Sequence, residues 1–109
     1  TKVDRKCKLR FSNFVENGVF VCSKKMINKC RNVFKDSLSG FGIDYICCKM
    51  IDNKKNIGLI DETPCFHDDI KSSLNDVSKR DEHYKEGPKL YKKYNVNPFK
   101  QNVYKSIKK

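Results

Sequence analysis

Two adjacent cysteines, in the run Ile46-Cys47-Cys48-Lys49, constrain this chain more than any other feature. They are poorly placed to bond each other, because closing that ring strains the peptide between them, so each is expected to reach a different part of the chain. In a strand, neighbouring side chains point to opposite faces, and the pair would then hold something on each side. Four further cysteines, Cys7, Cys22, Cys30 and Cys65, complete an even set confined to the first two thirds of the sequence. With 109 residues, 38% of them apolar and no tryptophan, the core has to be modest. Small domains with thin cores usually depend on disulfides or metal, and an even cysteine set is the pattern of a secreted disulfide framework. Three bridges would contribute roughly 2–4 kcal/mol each, comparable in sum to the net stability of a small domain. Reduction is therefore expected to unfold it, and the connectivity stays open on these grounds.

The formal charge of +11 is unevenly spread. Residues 1–36 hold ten basic and three acidic side chains, residues 37–87 are slightly acidic, and residues 88–109 hold seven lysines and no acid. Lysine outnumbers arginine twenty to four, which favours diffuse attraction to anionic surfaces over the bidentate grip of guanidinium. No run has the length of a membrane span or the character of a signal-peptide core, so the form in hand reads as mature and soluble. There is no Asn-x-Ser/Thr sequon, so no N-linked glycan is expected.

Along the chain, Cys7, Leu9 and Phe11 alternate with Lys8, Arg10 and Ser12, the signature of a half-buried strand. Asn17-Gly18 is a hairpin-turn signal before Val19-Phe20-Val21-Cys22, so a hairpin is expected. Ser23 is a good N-cap for a helix whose stripe is Met26, Ile27, Cys30, Val33, Phe34 and Leu38, ended by Gly40 and Gly42 and turned onto the sheet. Residues 43–51 are rich in strand formers and, with Ile57-Gly58-Leu59-Ile60, read as a second hairpin carrying the cysteine pair; Cys65 would pin its exit. Ile70, Leu74 and Val77 mark a short helix, capped by Asp68 or Asp69, that ends before Gly87-Pro88. The expectation is a small disulfide-rich α+β fold with antiparallel hairpins, one or two short helices and three disulfides. It divides into a stapled domain over 1–67, a short helix over 68–86, and a basic tail over 87–109 that is extended or loose unless the domain face holds it.

Cys7, then Asn17-Gly18-Val19-Phe20-Val21-Cys22, a short gap to Cys30, and Ile46-Cys47-Cys48 together resemble an arthropod clip domain over residues 7–48. The match departs from that pattern in having no cysteine between Cys30 and the adjacent pair and in carrying Cys65 after it. The resemblance implies pairing of Cys7 with Cys47 and of Cys30 with Cys48, leaving Cys22 for Cys65. It also implies a small α/β module of the kind attached to serine proteases of extracellular cascades, used for binding or regulation.

Catalysis has little to stand on. The histidines are His67 and His83, and bridged cysteines leave no thiol for a Cys-His pair. The run Cys65-Phe66-His67-Asp68-Asp69 lacks the second ligand cluster that structural zinc needs, so no metal and no cofactor are expected. Lys79-Arg80 reads as two exposed helix residues rather than a processing site. Lysines interleaved with Tyr91, Tyr94, Phe99 and Tyr104 could stack on single-stranded nucleic acid, but an extracellular setting and scarce arginine argue against that partner. What remains is a secreted, monomeric, non-enzymatic effector, of salivary or venom type, that binds and inhibits a host macromolecule. The resemblance directs the expected target to a serine protease or complex of the complement or coagulation cascades. The contacts expected on an acidic partner are Arg5, Lys6, Lys8 and Arg10 at one end, and Lys89, Tyr91, Lys92, Lys93 and Tyr94 at the other. The alternatives are a cationic toxin or host-defence peptide acting on channels or microbial membranes, and a heparan-sulfate-binding protein.

Overall fold

Alternation of apolar and charged residues does produce a strand at the start of the chain, β1 (Cys7–Ser12), and the rest of the fold is built around it. The computed structural model describes residues 2–16, 18–65 and 77–109. The elements that follow are α1 (Lys24–Asp36), α2 (Ile43–Ile51), β2 (Gly58–Ile60), α3 (Val77–Tyr94) and β3 (Val103–Lys108). The sheet is antiparallel with β1 in the centre, in the order β2-β1-β3. Leu9 lies opposite Ile60 on one side and Ile107 on the other. The β1–β3 ladder is irregular between Cys7 and Leu9 and between Phe11 and Ser12. A small α+β fold with antiparallel strands is thus what the chain adopts.

α1 starts where expected, with the Ser23 hydroxyl accepting the Met26 N–H at 3.2 Å. It ends at Asp36, ahead of the two glycines. Its stripe packs on α2 rather than on the sheet. Ile27 and Leu38 stay outside the core, 45% and 97% exposed.

The larger correction concerns residues 43–51, which form a helix, not a strand. Ile43, Ile46, Cys47 and Met50 fall at i, i+3, i+4 and i+7, the spacing of one helical face, and that face meets Cys30 and Val33 of α1 and Leu90 of α3. Burial of this stripe outweighs the intrinsic strand preference of isoleucine and tyrosine. Cys47 and Cys48 still face two ways, separated by about 100° around the helix. Cys47 enters the cluster with α1, and Cys48 enters a second one with Phe14 and Ile57. β2 forms as expected but pairs with β1, so the cysteine pair sits on no hairpin. Val19–Cys22 forms no strand either, and Val19 and Val21 lie exposed at 81% and 101%. The turn residue Asn17 lies outside the described residues, as do Ile70, Leu74, His67 and the proposed caps Asp68 and Asp69.

α3 runs straight through Gly87-Pro88, although proline inside a helix removes a hydrogen bond. Tertiary contacts supply the compensation. The Glu86 carboxylate accepts the Leu38 and Ser39 N–H groups at 2.6 and 2.9 Å, while Leu90, Tyr91 and Tyr94 pack on the helical core. The helix stops at Asn95, whose φ of 53° is left-handed. There the Val96 N–H reaches the Tyr91 carbonyl at 3.0 Å and the Asn95 N–H reaches Lys92, a Schellman closure. The segment read as a basic tail is thus held by the domain as half a helix and an edge strand.

Candidate functional site

Antiparallel pairing of β1 with β3 sets the start of one strand against the end of the other. Cys7 lies opposite Lys108, and the Lys109 N–H donates to the Lys6 carbonyl at 3.2 Å. The two basic ends of the sequence, far apart in the chain, are thereby brought to one end of the sheet. Arg5, Lys6, Lys8, Lys105, Lys108 and Lys109 are all exposed there and along the two strands. The opposing charge within the group is Asp4, 4.0 Å from the Lys108 ammonium. A hydrogen bond from the Cys7 thiol, another from the Lys6 N–H and the nearby Lys108 charge hold the Asp4 carboxyl below its ordinary range. Asp4 therefore stays ionised and orders the patch without neutralising it.

Of the contacts expected from sequence, Arg5, Lys6 and Lys8 belong to this patch. Arg10 does not, because its guanidinium is committed. It donates to Asp61 through Nε and an Nη, both at 2.7 Å, and to the Lys2 carbonyl at 2.7 Å. The two side chains are only 13% and 3% exposed, and each shifts the other: Asp61 is held below and Arg10 above its ordinary pKa, first of all by their hydrogen bond. The pair ties β1 to the residue after β2.

Lys89 and Lys92 are exposed on α3, whose main packing partner among the described residues is α2. Lys93 is engaged with Asp36 at 2.8 Å. Tyr94 donates to the same carboxylate, and both contacts hold Asp36 below its ordinary pKa. Tyr91 and Tyr94 pack against the helical core, and Tyr91 also lies edge-on to Tyr45. They are structural residues rather than free stacking surfaces. Lys105, Lys108 and Lys109 join the patch beyond the contacts expected from sequence. The signal was present in Val103-Tyr104-Lys105-Ser106-Ile107, where β-branched and aromatic residues alternate with lysine and serine.

A cleft of about 700 Å³ opens between the start of α1, the 18–22 loop and β2, walled by Val15, Phe20, Met26, Ile51, Leu59 and Cys65. Its charged wall residues are the Arg10–Asp61 pair, already mutually satisfied, and Lys25 and Lys29. Among the described residues no group of His, Cys, Asp and Glu side chains is placed to hold a metal ion. No helix among them is long and apolar enough to cross a membrane. Compared with known proteins, the chain matches no family model, no curated protein and no solved structure.

Proposed function

We propose that the protein is a secreted, non-enzymatic effector that docks on an acidic surface of an extracellular macromolecule and inhibits it. The observation that carries this reading is the convergence of Arg5, Lys6, Lys8, Lys105, Lys108 and Lys109 on one strand pair. A concentrated positive field of this kind accelerates encounter with an acidic partner, and a rigid strand pair presents it with little ordering cost. The apolar residues beside it, Ile107 at 41% and Ile60 at 66% exposure, supply contact area once charge has brought the partner in. The clip-domain resemblance supports the finer proposal that the partner is a serine protease or assembled complex of the coagulation or complement cascades.

Deleting residues 88–109 is a poor test, since it removes β3 and the buried Leu90 together with the charge. Charge reversal at Lys6, Lys8 and Lys105 leaves the fold in place, because these side chains are exposed. In clotting and complement assays, micromolar wild-type protein should prolong one of the two. The triple glutamate variant should associate with the affected component roughly 10–100-fold more slowly at low salt. Unchanged clotting and complement activity with wild type would sink the cascade proposal. An unchanged association rate in the variant would sink the role of the patch.

A further inference from the structure

Cys30 projects from the middle of α1 and Cys47 from the middle of α2. Both belong to the same buried cluster, 0% and 5% exposed. α1 and α2 pack on each other, so the two side chains share the space that the helices enclose. Cys48, one residue on, points about 100° away around α2, where its sulfur contacts the Val15 N–H at 3.4 Å and the Val15 carbonyl at 3.7 Å. Cys7 belongs to neither cluster, its sulfur held between Asp4 and Lys108 at 3.2 and 3.3 Å.

We propose that Cys30 and Cys47 form a disulfide that joins α1 to α2, and that Cys48 takes no part in it. The pairing differs from the one implied by the clip resemblance, which joins Cys30 to Cys48 and Cys47 to Cys7. All six cysteines are thiols in the structure, and of the two neighbours on α2 it is Cys47, not Cys48, that shares a buried cluster with Cys30. The chemistry is thiol–disulfide exchange with an oxidised dithiol of the secretory pathway. One thiolate attacks the carrier's disulfide to give a mixed disulfide, and the second displaces the carrier's remaining sulfur. The two cysteines lose two electrons and two protons in sum, and the carrier leaves as a dithiol.

Timing follows from burial. Burial, with the neighbouring Cys30 sulfur second, pushes the Cys47 thiol well above its ordinary pKa, so the folded protein holds almost no thiolate there to start the exchange. With the two side chains 0% and 5% exposed, a carrier can reach these sulfurs only while the helices are open, and a reductant is shut out once they close.

Tryptic mapping of the full chain, secreted through an oxidising pathway and alkylated without reduction, tests this. Residues 30–31 and 36–49 form separate tryptic pieces with no other cysteine than Cys30, Cys47 and Cys48. The expected result is that they stay joined until a reductant is added, that fragmentation places the link on Cys47, and that it survives in C48S and disappears in C47S. The native protein should keep the link in a mild reductant that removes it in denaturant, and the C30A/C47A variant should melt roughly 10–20 °C lower. Release of free 30–31 from the unreduced wild type overturns the proposal. So does a link that fragmentation places on Cys48, a readout that needs no folded variant.

Discussion

Around Ile46 the three helices close over their apolar side chains, whereas across the sheet the central row of Leu9, Ile60 and Ile107 stays partly open, with the last two 66% and 41% exposed. The helical half coheres by burial, in a cluster of Cys30, Val33, Ile43, Ile46, Cys47 and Leu90. The sheet coheres by directed polar bonds. Arg10 clamps Asp61, and the Asn13 side chain both donates to the Lys100 carbonyl and accepts the Asn102 N–H, at 2.9 and 2.8 Å. The difference shows how one small chain reconciles a thin core with a high charge. Lysine-rich strands have little to bury, so they are fixed by hydrogen bonds at their ends, and their faces stay available to a partner. A cluster of aromatic rings, Phe14 tilted against Tyr45 at 4.7 Å and Tyr45 edge-on to Phe99 at 5.3 Å, joins the two halves.

The comparison breaks most severely if that junction is removed. Phe14→Ala should cost about 3–5 kcal/mol by the lost burial and the cavity left behind, read as a lower urea midpoint. Amide exchange should quicken in β1 and β3 more than in α1 and α2. Next in size, Asp61→Asn leaves the Arg10 guanidinium without its counter-charge and should cost about 2 kcal/mol, confined to the sheet.

The same residue gives the sheet an acid response. The Asp61 pKa in the folded chain lies below its unfolded value, which is about 3.9. Its contribution is therefore complete above that value and is lost as pH falls through the lowered one. Stability against pH, measured by denaturant titration, should slope downward below about pH 4 in wild type and less steeply in the Asp61→Asn variant.

Smaller again, and confined to the helical half, Gly42→Ala should cost about 1–2 kcal/mol. Gly42 sits at φ 84° at the start of α2, and a Cβ there would stand 2.9 Å from the Tyr91 ring. Ser23→Ala removes the α1 cap and should cost about 1 kcal/mol, seen as fraying of the first turn in amide exchange. Equal loss of protection in both halves for Asp61→Asn and Gly42→Ala would show that the two regions do not hold themselves independently.

Much of this division was legible in the residues. Alternation from Cys7 to Ser12 gave β1, and Ser23 followed by spaced apolar residues gave α1. The run 43–51 reads as a strand because isoleucines, tyrosine and paired cysteines favour strands locally, while the fold decides by which residues can share a buried face, and Ile43, Ile46, Cys47 and Met50 can. Gly87-Pro88 reads as a stop because the bonds that carry the helix across it are donated to Glu86 by the Leu38 and Ser39 N–H groups, almost fifty residues away in sequence. The patch was half legible. Lysine-rich ends are plain in the composition, but their meeting depends on the β1–β3 ladder, a pairing across nearly the whole chain that no local pattern encodes. Arg10 looked like a surface contact for the same reason, since its partner Asp61 is 51 positions distant.

That long-range ladder also bears on how the protein is made. The central strand β1 is made before the other elements and one of its neighbours, β3, after them, with α1, α2 and α3 in between. Contacts of such separation close slowly, because the chain between them must be ordered first. The helices can assemble while the chain is still growing, but Leu9 and the basic start of β1 wait for residues 103–108 before the sheet is whole. Until then the nascent chain carries an unpaired, cationic strand edge, a site for premature association, and it is the arrival of β3 that ends that exposure.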